Sequence, residues 1–198
     1  MILKKYNLEL HRIVSSDIEM IRTWRNDPKI QQHMFFNQNI SAEMQQNWFQ
    51  KIDTIHHFYF KIVYKNQAVG LIHVSDIDFK KRDAFSGLFI YDDNYLSTDV
   101  PARASLCMLD YFFENDLLYT LYAKTKKDNT KAIKYNQSLG FEIAGDIEAE
   151  SGYLLRLTRE NYLHKCQPFK TFFGKSGMKV EYDDSIVVDT LWKEKINA

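Results

Sequence analysis

Apolar and polar residues alternate along this chain with two different periods, and the order of the two periods predicts the fold. Alternation with a period of two, typical of a strand with one buried face, recurs in seven segments. These segments are 6–14, 58–64, 68–74, 84–91, 118–125, 141–147 and 153–158. The strands at 58–64 and 68–74 are joined by a predicted turn at Lys65 and Asn66.

Four other segments carry apolar residues at helical spacing, and each begins at a residue that commonly caps a helix. The predicted caps are Ser16, which opens a Ser-x-x-Glu capping box, Ser41, Asp99 and Asp128. The first of these helices stops before Pro28. Strands and helices therefore alternate as in an α/β domain, which we place at residues 1–163.

Residues 164–198 lie outside this alternation and are predicted to form a C-terminal extension. They contain an aromatic cluster, a β-branched run at 186–188 and Trp192. Because this apolar content is too high for a disordered tail, we expect an appended hairpin or helix packed on the domain.

Composition narrows the class of protein. The 198 residues hold 26 basic and 26 acidic side chains, and a net charge of zero argues against a nucleic-acid binder. No apolar run approaches the ~18 residues of a membrane span, so no membrane association is expected. The only cysteines, Cys107 and Cys166, have no metal-ligand spacing. We therefore expect no metal site and a cytoplasmic setting.

The most informative segment is 129–141, a short predicted helix between two strands. It carries Asn129, Ala132, Gly140 and Phe141 in the order Asn-x-x-Ala-Ile…Leu-Gly-Phe. This pattern and the element order resemble the GNAT acyltransferase superfamily. A glycine-capped helix explains Gly140 alone, but it does not explain the other three residues together. The resemblance implies a mixed, mostly antiparallel central sheet flanked by helices, an acetyl-CoA donor and an amine acceptor.

A second segment, Trp24-Arg25-Asn26-Asp27-Pro28, resembles the GNAT subgroup of amino-sugar nucleotide acetyltransferases and, more loosely, ribosomal-protein N-acetyltransferases. The resemblance implies that residues 27–40 lie over the acceptor and that Trp24, Arg25 and Asn26 bind it. A guanidinium suits a diphosphate, and an Asn amide can bind sugar hydroxyls. The alternatives are a core position for Trp24, a helix-dipole partner for Arg25 and a turn-former for Asn26.

On the cofactor side, the resemblance implies that strand 84–91 diverges from its neighbour and that pantetheine enters the gap. A backbone N–H near Phe89 or Ile90 would then polarise the thioester carbonyl. Pyrophosphate would sit at the following helix start, where the family has glycines and this chain has Asp99 and Pro101. A capping carboxylate would occupy the N–H groups meant for phosphate, and proline has no N–H to offer.

Further cofactor-binding candidates on this side are Ala102, Arg103 and Asn129. Lysines 124, 126, 127 and 131 can offset the lost phosphate contacts, although such a run is also common on a solvated face. The resemblance also implies two catalytic candidates. Asn136 aligns with the tyrosine that protonates the leaving thiolate in the family, and Tyr135 lies one position earlier. One residue is about 100° of helical rotation, so Tyr135 is expected to face the core.

Two hypotheses follow for the function. The first is an N-acetyltransferase that moves an acetyl group from acetyl-CoA to a primary amine by direct attack in a ternary complex. The amine could belong to an amino-sugar nucleotide or to a protein N-terminus, and a homodimer is compatible with this class. No general base is evident, and His73, Asp76 and Asp78 are weak candidates. The second hypothesis is a GNAT-like binding or scaffolding module without CoA-dependent activity.

Overall fold

The computed structural model describes residues 1–174 and 177–181. The strands are β1 (Ile2–Lys5), β2 (Leu8–Arg12), β3 (Phe58–Tyr64), β4 (Gln67–Asp78), β5 (Asp83–Ile90), β6 (Thr120–Lys126), β7 (Glu142–Ile147), β8 (Gly152–Thr158) and β9 (Lys179–Glu181). The helices are α1 (Ile18–Asn26), α2 (Pro28–Gln31), α3 (Ala42–Ile52), α4 (Asp93–Leu96), α5 (Val100–Glu114), α6 (Thr130–Ser138), α7 (Arg159–Lys165) and α8 (Gln167–Phe173).

The nine described strands form one mixed sheet in the order β7-β8-β6-β5-β4-β3-β2-β1-β9. Every described pair is antiparallel except β5 with β6. Pairing between these two strands covers three residue pairs, from Asp83 with Thr120 to Phe85 with Tyr122. Beyond Phe85 the two strands separate, and the sheet opens between them. The predicted mixed, mostly antiparallel α/β fold is confirmed.

The prediction of one strand at 6–14 is wrong, because the chain forms a hairpin there. Tyr6 and Asn7 both have positive φ angles, 58° and 54°, and turn β1 back into β2. Two consecutive left-handed residues make the tight turn that matches the twist of paired strands. The predicted turn at Lys65 and Asn66 is confirmed, and it has the same left-handed geometry.

Helix ends follow the predicted capping chemistry at some positions and not at others. The Ser41 hydroxyl accepts from Met44 N–H as predicted, and Gly140 takes the expected left-handed conformation, with φ 98°. The predicted cap Ser16 is wrong, since a 3-10 turn at Ser15–Asp17 precedes α1. Asp128 is also wrong as a cap, because Asn129 Oδ1 accepts from Ala132 N–H.

Helices cover both faces of the sheet. Helix α5 is buried on nearly all sides, and every residue from 104 to 113 lies in the interior. On the opposite face, α1 and α3 pack through Ile21 and Ile52 against Leu71 of β4. The opening between β5 and β6 therefore lies between two separately packed layers.

The described part of the predicted extension is packed on the domain. Helix α8 brings Lys170 Nζ to 2.5 Å from an oxygen of Asp110, a carboxylate of α5 with no exposed surface. Strand β9 pairs with β1 and extends the sheet. Helix α7 spans the predicted domain boundary at residue 163 and buries Tyr162 completely. The β-branched run at 186–188 and Trp192 lie outside the described residues.

Candidate active site

The gap between β5 and β6 exposes one edge of β5 at the centre of the sheet. Tyr91 N–H donates to Val69 C=O, in register with the β4–β5 ladder. Because hydrogen-bonded and non-bonded pairs alternate in antiparallel strands, the N–H groups of Leu88 and Ile90 point away from β4 and into the gap. The N–H of Phe89 points toward β4. Of the two amides predicted to polarise a thioester, the geometry therefore directs that of Ile90 toward the gap.

The start of α5 differs from the sequence prediction in one respect. The prediction that the Asp99 carboxylate caps the helix is wrong: it accepts from Arg103 Nη2 at 2.7 Å instead. Thr98 Oγ1 takes the Val100 N–H, and Pro101 contributes none. The amide of Ala102 is thus a donor that this helix end still presents.

Arg103 is held on the side of α5 that faces the β1–β2 hairpin. Besides Asp99, its guanidinium donates to Tyr6 C=O at 2.9 Å and lies 4.6 Å from the ring of Phe173. These contacts engage the terminal nitrogens of Arg103, while its Nε, like that of Arg25, has no hydrogen-bond partner among the described residues. Its predicted role toward the cofactor stays a prediction.

Tyr135 packs against the main core, as its position on α6 predicts. Its hydroxyl donates to Pro101 C=O at 2.9 Å and lies 2.7 Å from Ser105 Oγ, so it joins α6 to the start of α5. Burial raises the pKa of Tyr135, and its proton is therefore retained at neutral pH. The side chain of Asn136, the neighbouring candidate, is half-buried. The Asn129 side chain is engaged as the cap of α6.

Trp24 belongs to the packing of the site wall. It is 6% exposed, stacks on Tyr91 with ring centroids 5.2 Å apart and meets Phe89 edge-on at 6.3 Å. Its contacts match the core position that was one of the two sequence alternatives. The ring fixes α1 against the end of β5.

The Asn26 amide closes a loop. Its Nδ2 donates to Ile40 C=O at 2.9 Å, and its Oδ1 accepts from Ile40 N–H at 2.8 Å. Arg22 donates to the same carbonyl at 3.1 Å. Residues 27–40, which we name the crossing loop, therefore begin and end at one point on α1.

The crossing loop reaches from α1 to the other side of the gap. Lys126 Nζ, at the end of β6, donates to Gln32 C=O at 2.8 Å. The Phe35 ring lies on Gly152 of β8, where a Cβ atom would be only 2.7 Å from Phe35 Cζ. Because α1 packs on β5 and Phe35 packs on β8, the loop spans the mouth of the opening.

Arg25 carries a charge into the space below this loop. It is largely buried, and its Nε has no hydrogen-bond partner among the described residues. Burial lowers the pKa of the Arg25 guanidinium, and among the described residues it is Tyr59, not a carboxylate, that opposes this effect. An arginine nevertheless stays protonated at any physiological pH. The sequence pointed to Arg25, but its isolation is visible only in three dimensions.

Next to Arg25 lies an aromatic and imidazole cluster that sequence reasoning weighted too little. The Tyr59 ring stacks on His73 with centroids 4.6 Å apart. Burial, with help from the Arg25 charge, lowers the pKa of His73 to about 4, against a smaller opposing effect of Asp76. Asp76 has a φ of 53° at an irregularity of β4, and its N–H donates to His57 Nδ1. The alternation of β3 and β4 gave no signal of this cluster beyond placing the two rings on one face.

Two further properties of the described residues bear on the class of protein. They contain no group of three His, Cys, Asp or Glu side chains able to hold a metal ion. None of their helices has the length and apolar character needed to cross a bilayer.

A mixed sheet that opens between two parallel strands, with amides turned into the opening and a helix start at its end, is the arrangement that the resemblance to acyl-CoA-dependent transferases implies. The comparison with protein families agrees, since residues 7–142 match the acetyltransferase (GNAT) domain. The chain belongs to this family, whose acyl donor is acetyl-CoA.

Individual relatives are more distant. Spermidine N(1)-acetyltransferase of Escherichia coli K12 is 30% identical over 91 residues, and the match covers 46% of this chain and 48% of that protein. The chain thus matches about half the length of this curated relative. The Vibrio cholerae spermidine N-acetyltransferase in complex with CoA and spermine superposes with a TM-score of 0.72 at 19% identity, covering 80% of this chain and 99% of that chain.

A ribosomal-protein acetyltransferase shares the fold equally well. RimL, an alpha-N-protein acetyltransferase solved in complex with coenzyme A, gives a TM-score of 0.70 at 16% identity, covering 80% of this chain and 98% of that chain. The likeness to both structures is one of fold. It does not distinguish a small amine from a protein N-terminus.

Proposed function

We propose that this chain transfers the acetyl group of acetyl-CoA to the primary amine of a small anionic molecule, with an amino-sugar nucleotide as the leading example. Both substrates bind together, and the neutral amine attacks the thioester directly. The proposal combines the acetyltransferase class given by the family with an acceptor type inferred from the site.

Arg25 carries the inference about the acceptor. The Arg25 guanidinium is largely buried, and its Nε has no hydrogen-bond partner among the described residues. A buried donor without a partner is unfavourable, and proteins retain one mainly where a ligand completes its contacts. The planar guanidinium matches phosphate or carboxylate oxygens. Since burial and not a neighbouring carboxylate dominates its environment, the missing partner is an anion that comes with the substrate.

The same feature argues against a polyamine. Spermidine is the substrate named for the similar enzymes of E. coli and V. cholerae, and it carries only positive charge. A buried like charge opposes such a ligand by several kcal/mol at close range, on the order of 4 at 4 Å with an effective dielectric of 20. Asp76, the carboxylate nearest this cluster, is exposed.

The residues of the cofactor side fit acetyl-CoA. The amides of Leu88 and Ile90 face the gap, and Ala102 lies at the start of α5. When bound, acetyl-CoA supplies the activated acyl group. The protein contributes proximity and carbonyl polarisation, and effective molarity alone is worth roughly 7–11 kcal/mol in well-oriented systems.

A panel of four acceptors tests the proposal. Thiol release from acetyl-CoA is followed with a UDP-linked amino sugar, the free amino sugar, spermidine and a peptide with a free N-terminus. We expect the nucleotide to have the highest kcat/KM, by about tenfold or more over the free sugar, since an anion–Arg contact is worth over 1.4 kcal/mol. Preference for spermidine or for the peptide contradicts the anionic acceptor.

A second measurement tests the alternative of a binding module. Acetyl-CoA at 100 times its dissociation constant stabilises a protein that binds it by about 2.7 kcal/mol. We expect the corresponding rise in Tm. No rise in Tm and no turnover with any of the four amines means that the chain does not work as an acetyltransferase.

A further inference from the structure

Three histidines lie near the candidate acceptor site, and two of them have structural partners. His56 Nδ1 lies 2.8 Å from Ile77 C=O, and His57 Nδ1 accepts from Asp76 N–H. Among the described residues, no hydrogen bond involves a ring nitrogen of His73, and the residue is half-buried. Its lone pair is available to a ligand.

The position of His73 relative to the opening is set by Gly87. The two residues are directly opposite in the β4–β5 ladder. The ring lies over the bare Cα of Gly87, where a Cβ atom would be 2.6 Å from Cε1 and 3.3 Å from Nε2. Gly87 is three residues before Ile90, about 10 Å along the strand. The imidazole therefore lies close both to Arg25 and to the part of β5 that borders the gap.

We propose that His73 is a catalytic residue that accepts the proton lost by the attacking amine. The nitrogen lone pair forms the C–N bond to the thioester carbon, and the C–S bond breaks with its electron pair on sulfur. The excess proton on nitrogen moves to the free imidazole nitrogen. It then leaves to solvent or to the thiolate, so that the products are the amide and the free thiol.

Charges around the ring couple this step to acceptor binding, which is the part that rests on the proposed anionic acceptor. The groups that face His73 are Arg25 from α1, His57 just before β3, Tyr59 from β3 and Asp76 from β4. Burial and the positive charge of Arg25 keep the pKa of His73 low in the free protein. An anion on Arg25 cancels that charge, so His73 becomes a better base when the acceptor is bound.

The first test is kinetic and uses the best acceptor of the four. His73→Gln keeps a polar side chain of similar length but cannot take up a proton. We expect kcat to fall about a hundredfold with acceptor KM changed less than about threefold, because a positioned base contributes 10²–10⁴. The acidic limb of the wild-type kcat profile should disappear. His11→Gln, on β2 beside Glu9, is the matched control and should behave as wild type.

His73→Ala covers the case in which Gln disturbs packing. Its activity should be restored in part by added imidazole, and more strongly as pH rises through the pKa of imidazole. A structural loss would not be rescued. The role is overturned if His73→Gln retains kcat within about threefold of wild type, or if imidazole restores nothing.

The second test measures the coupling without turnover. The His73 ring resonance, identified by its loss in His73→Gln, is titrated by NMR in wild type, in Arg25→Met and with UDP as an anionic probe. We expect a higher midpoint in both altered cases. Unchanged midpoints overturn the coupling to Arg25. If the wild type acetylates no amine, the proposed function fails, and with it the role of His73. If the wild type is active and His73→Gln is equally active, the role of His73 alone is overturned.

Discussion

The buried charges of Asp110 and Arg25 differ in how completely the protein satisfies their hydrogen bonds. Asp110 of α5 is fully buried and has four partners, among them Lys5 and Lys170 at 2.5 Å each and the hydroxyls of Tyr6 and Tyr162 at 2.6 Å. Arg25 is also largely buried, but its Nε has no partner among the described residues. The Asp110 cluster lies away from the opening between β5 and β6, whereas Arg25 lies beside that opening.

The comparison shows how buried charge can separate structure from function. A buried charge with all its contacts made stabilises one arrangement of the chain, and removing it exposes its partners to an unfavourable environment. A buried charge with contacts missing costs stability in the free protein and recovers that cost when a ligand binds. The two clusters should therefore respond to mutation with opposite signs.

The largest effect is expected at Asp110. Asp110→Asn removes the buried counter-charge of Lys5 and Lys170, whose ammonium groups then keep only the more exposed Glu114. The free energy of unfolding should fall by about 3–5 kcal/mol. Urea unfolding measures it, with the exposed Asp53→Asn as control, expected to lie within about 0.5 kcal/mol of wild type. Kinetic constants of the folded fraction should not change. A loss below about 1 kcal/mol would contradict a stabilising role for the Asp110 cluster.

Acid should act on the same cluster. Burial alone would raise the pKa of Asp110, but hydrogen bonds from Lys170, Lys5, Tyr162 and Tyr6 outweigh it and lower that pKa. A carboxylate with a lowered native pKa stabilises the fold above its unfolded pKa of about 3.9 and loses that contribution as pH falls through the native value. Wild type should therefore lose more unfolding free energy between pH 5 and the acid transition than Asp110→Asn does, as measured by urea unfolding at a series of pH values.

Gly152→Ala tests whether the crossing loop belongs to the acceptor site. The new methyl group would displace the Phe35 ring, so the loop should lose its contact with β8. We expect the acceptor KM to rise about tenfold, with the dissociation constant of acetyl-CoA unchanged within about threefold. Gly145→Ala on β7, where a Cβ meets no atom within 4 Å, is the control. Equal effects of both variants would separate the loop from acceptor binding.

Arg25→Met should raise stability where Asp110→Asn lowers it. A methionine fills similar volume without an unpaired charge, and such replacements are neutral or stabilising, here by about 1 kcal/mol. The acceptor KM should rise about tenfold in the same variant. Exposed Arg156→Met is the control for both measurements. If Arg25→Met lowers stability by more than about 1 kcal/mol and leaves kinetics normal, Arg25 is structural and the contrast between the clusters fails.

The smallest effect is expected at Tyr135. Tyr135→Phe removes one hydroxyl that bonds Pro101 C=O and Ser105, so stability should fall by about 1 kcal/mol. Turnover should change by less than about threefold, because the hydroxyl is engaged at the start of α5. Asn136→Tyr, which adds a proton donor one position later, should raise turnover severalfold. Loss of activity in Tyr135→Phe with normal acetyl-CoA affinity would make Tyr135 the acid.

The sequence predicted those features that local chemistry determines. Gly140 was predictable because a helix C-terminus needs a left-handed residue, and the Ser41 cap follows from its side-chain oxygen. The β1–β2 turn was not predictable, because a tyrosine rarely adopts a positive φ angle. Tyr6 does so here in a hairpin in which its hydroxyl donates to Asp110. Asp128 was wrongly predicted as the cap of α6 because Asp128 and the adjacent Asn129 are both good capping residues.

Residue types and motifs suggested candidates for the site, but they could not show the contacts that those residues make. Arg25 and Asn26 stand next to each other, and residue type alone cannot show that Asn26 bonds Ile40 while Arg25 Nε has no hydrogen-bond partner among the described residues. The free state of His73 depends on Gly87, fourteen positions away, and on His57 being engaged. Such properties arise from contacts between elements, which a pattern along the chain does not record.

The short pairing of β5 with β6 has a consequence for self-association. A row of unpaired backbone groups is normally a hazard at the rim of a sheet, where it can template aggregation. Here the row at Leu88 and Ile90 lies inside the sheet, between β4 and β6. A strand of another protein would have to lie about 4.7–4.9 Å from β5, and β6 leaves no room for a whole strand there. A slender molecule that carries amide groups can still enter the gap. Placing the unpaired edge of β5 inside the sheet thus protects that edge from pairing with another protein's strand while leaving it available to the cofactor.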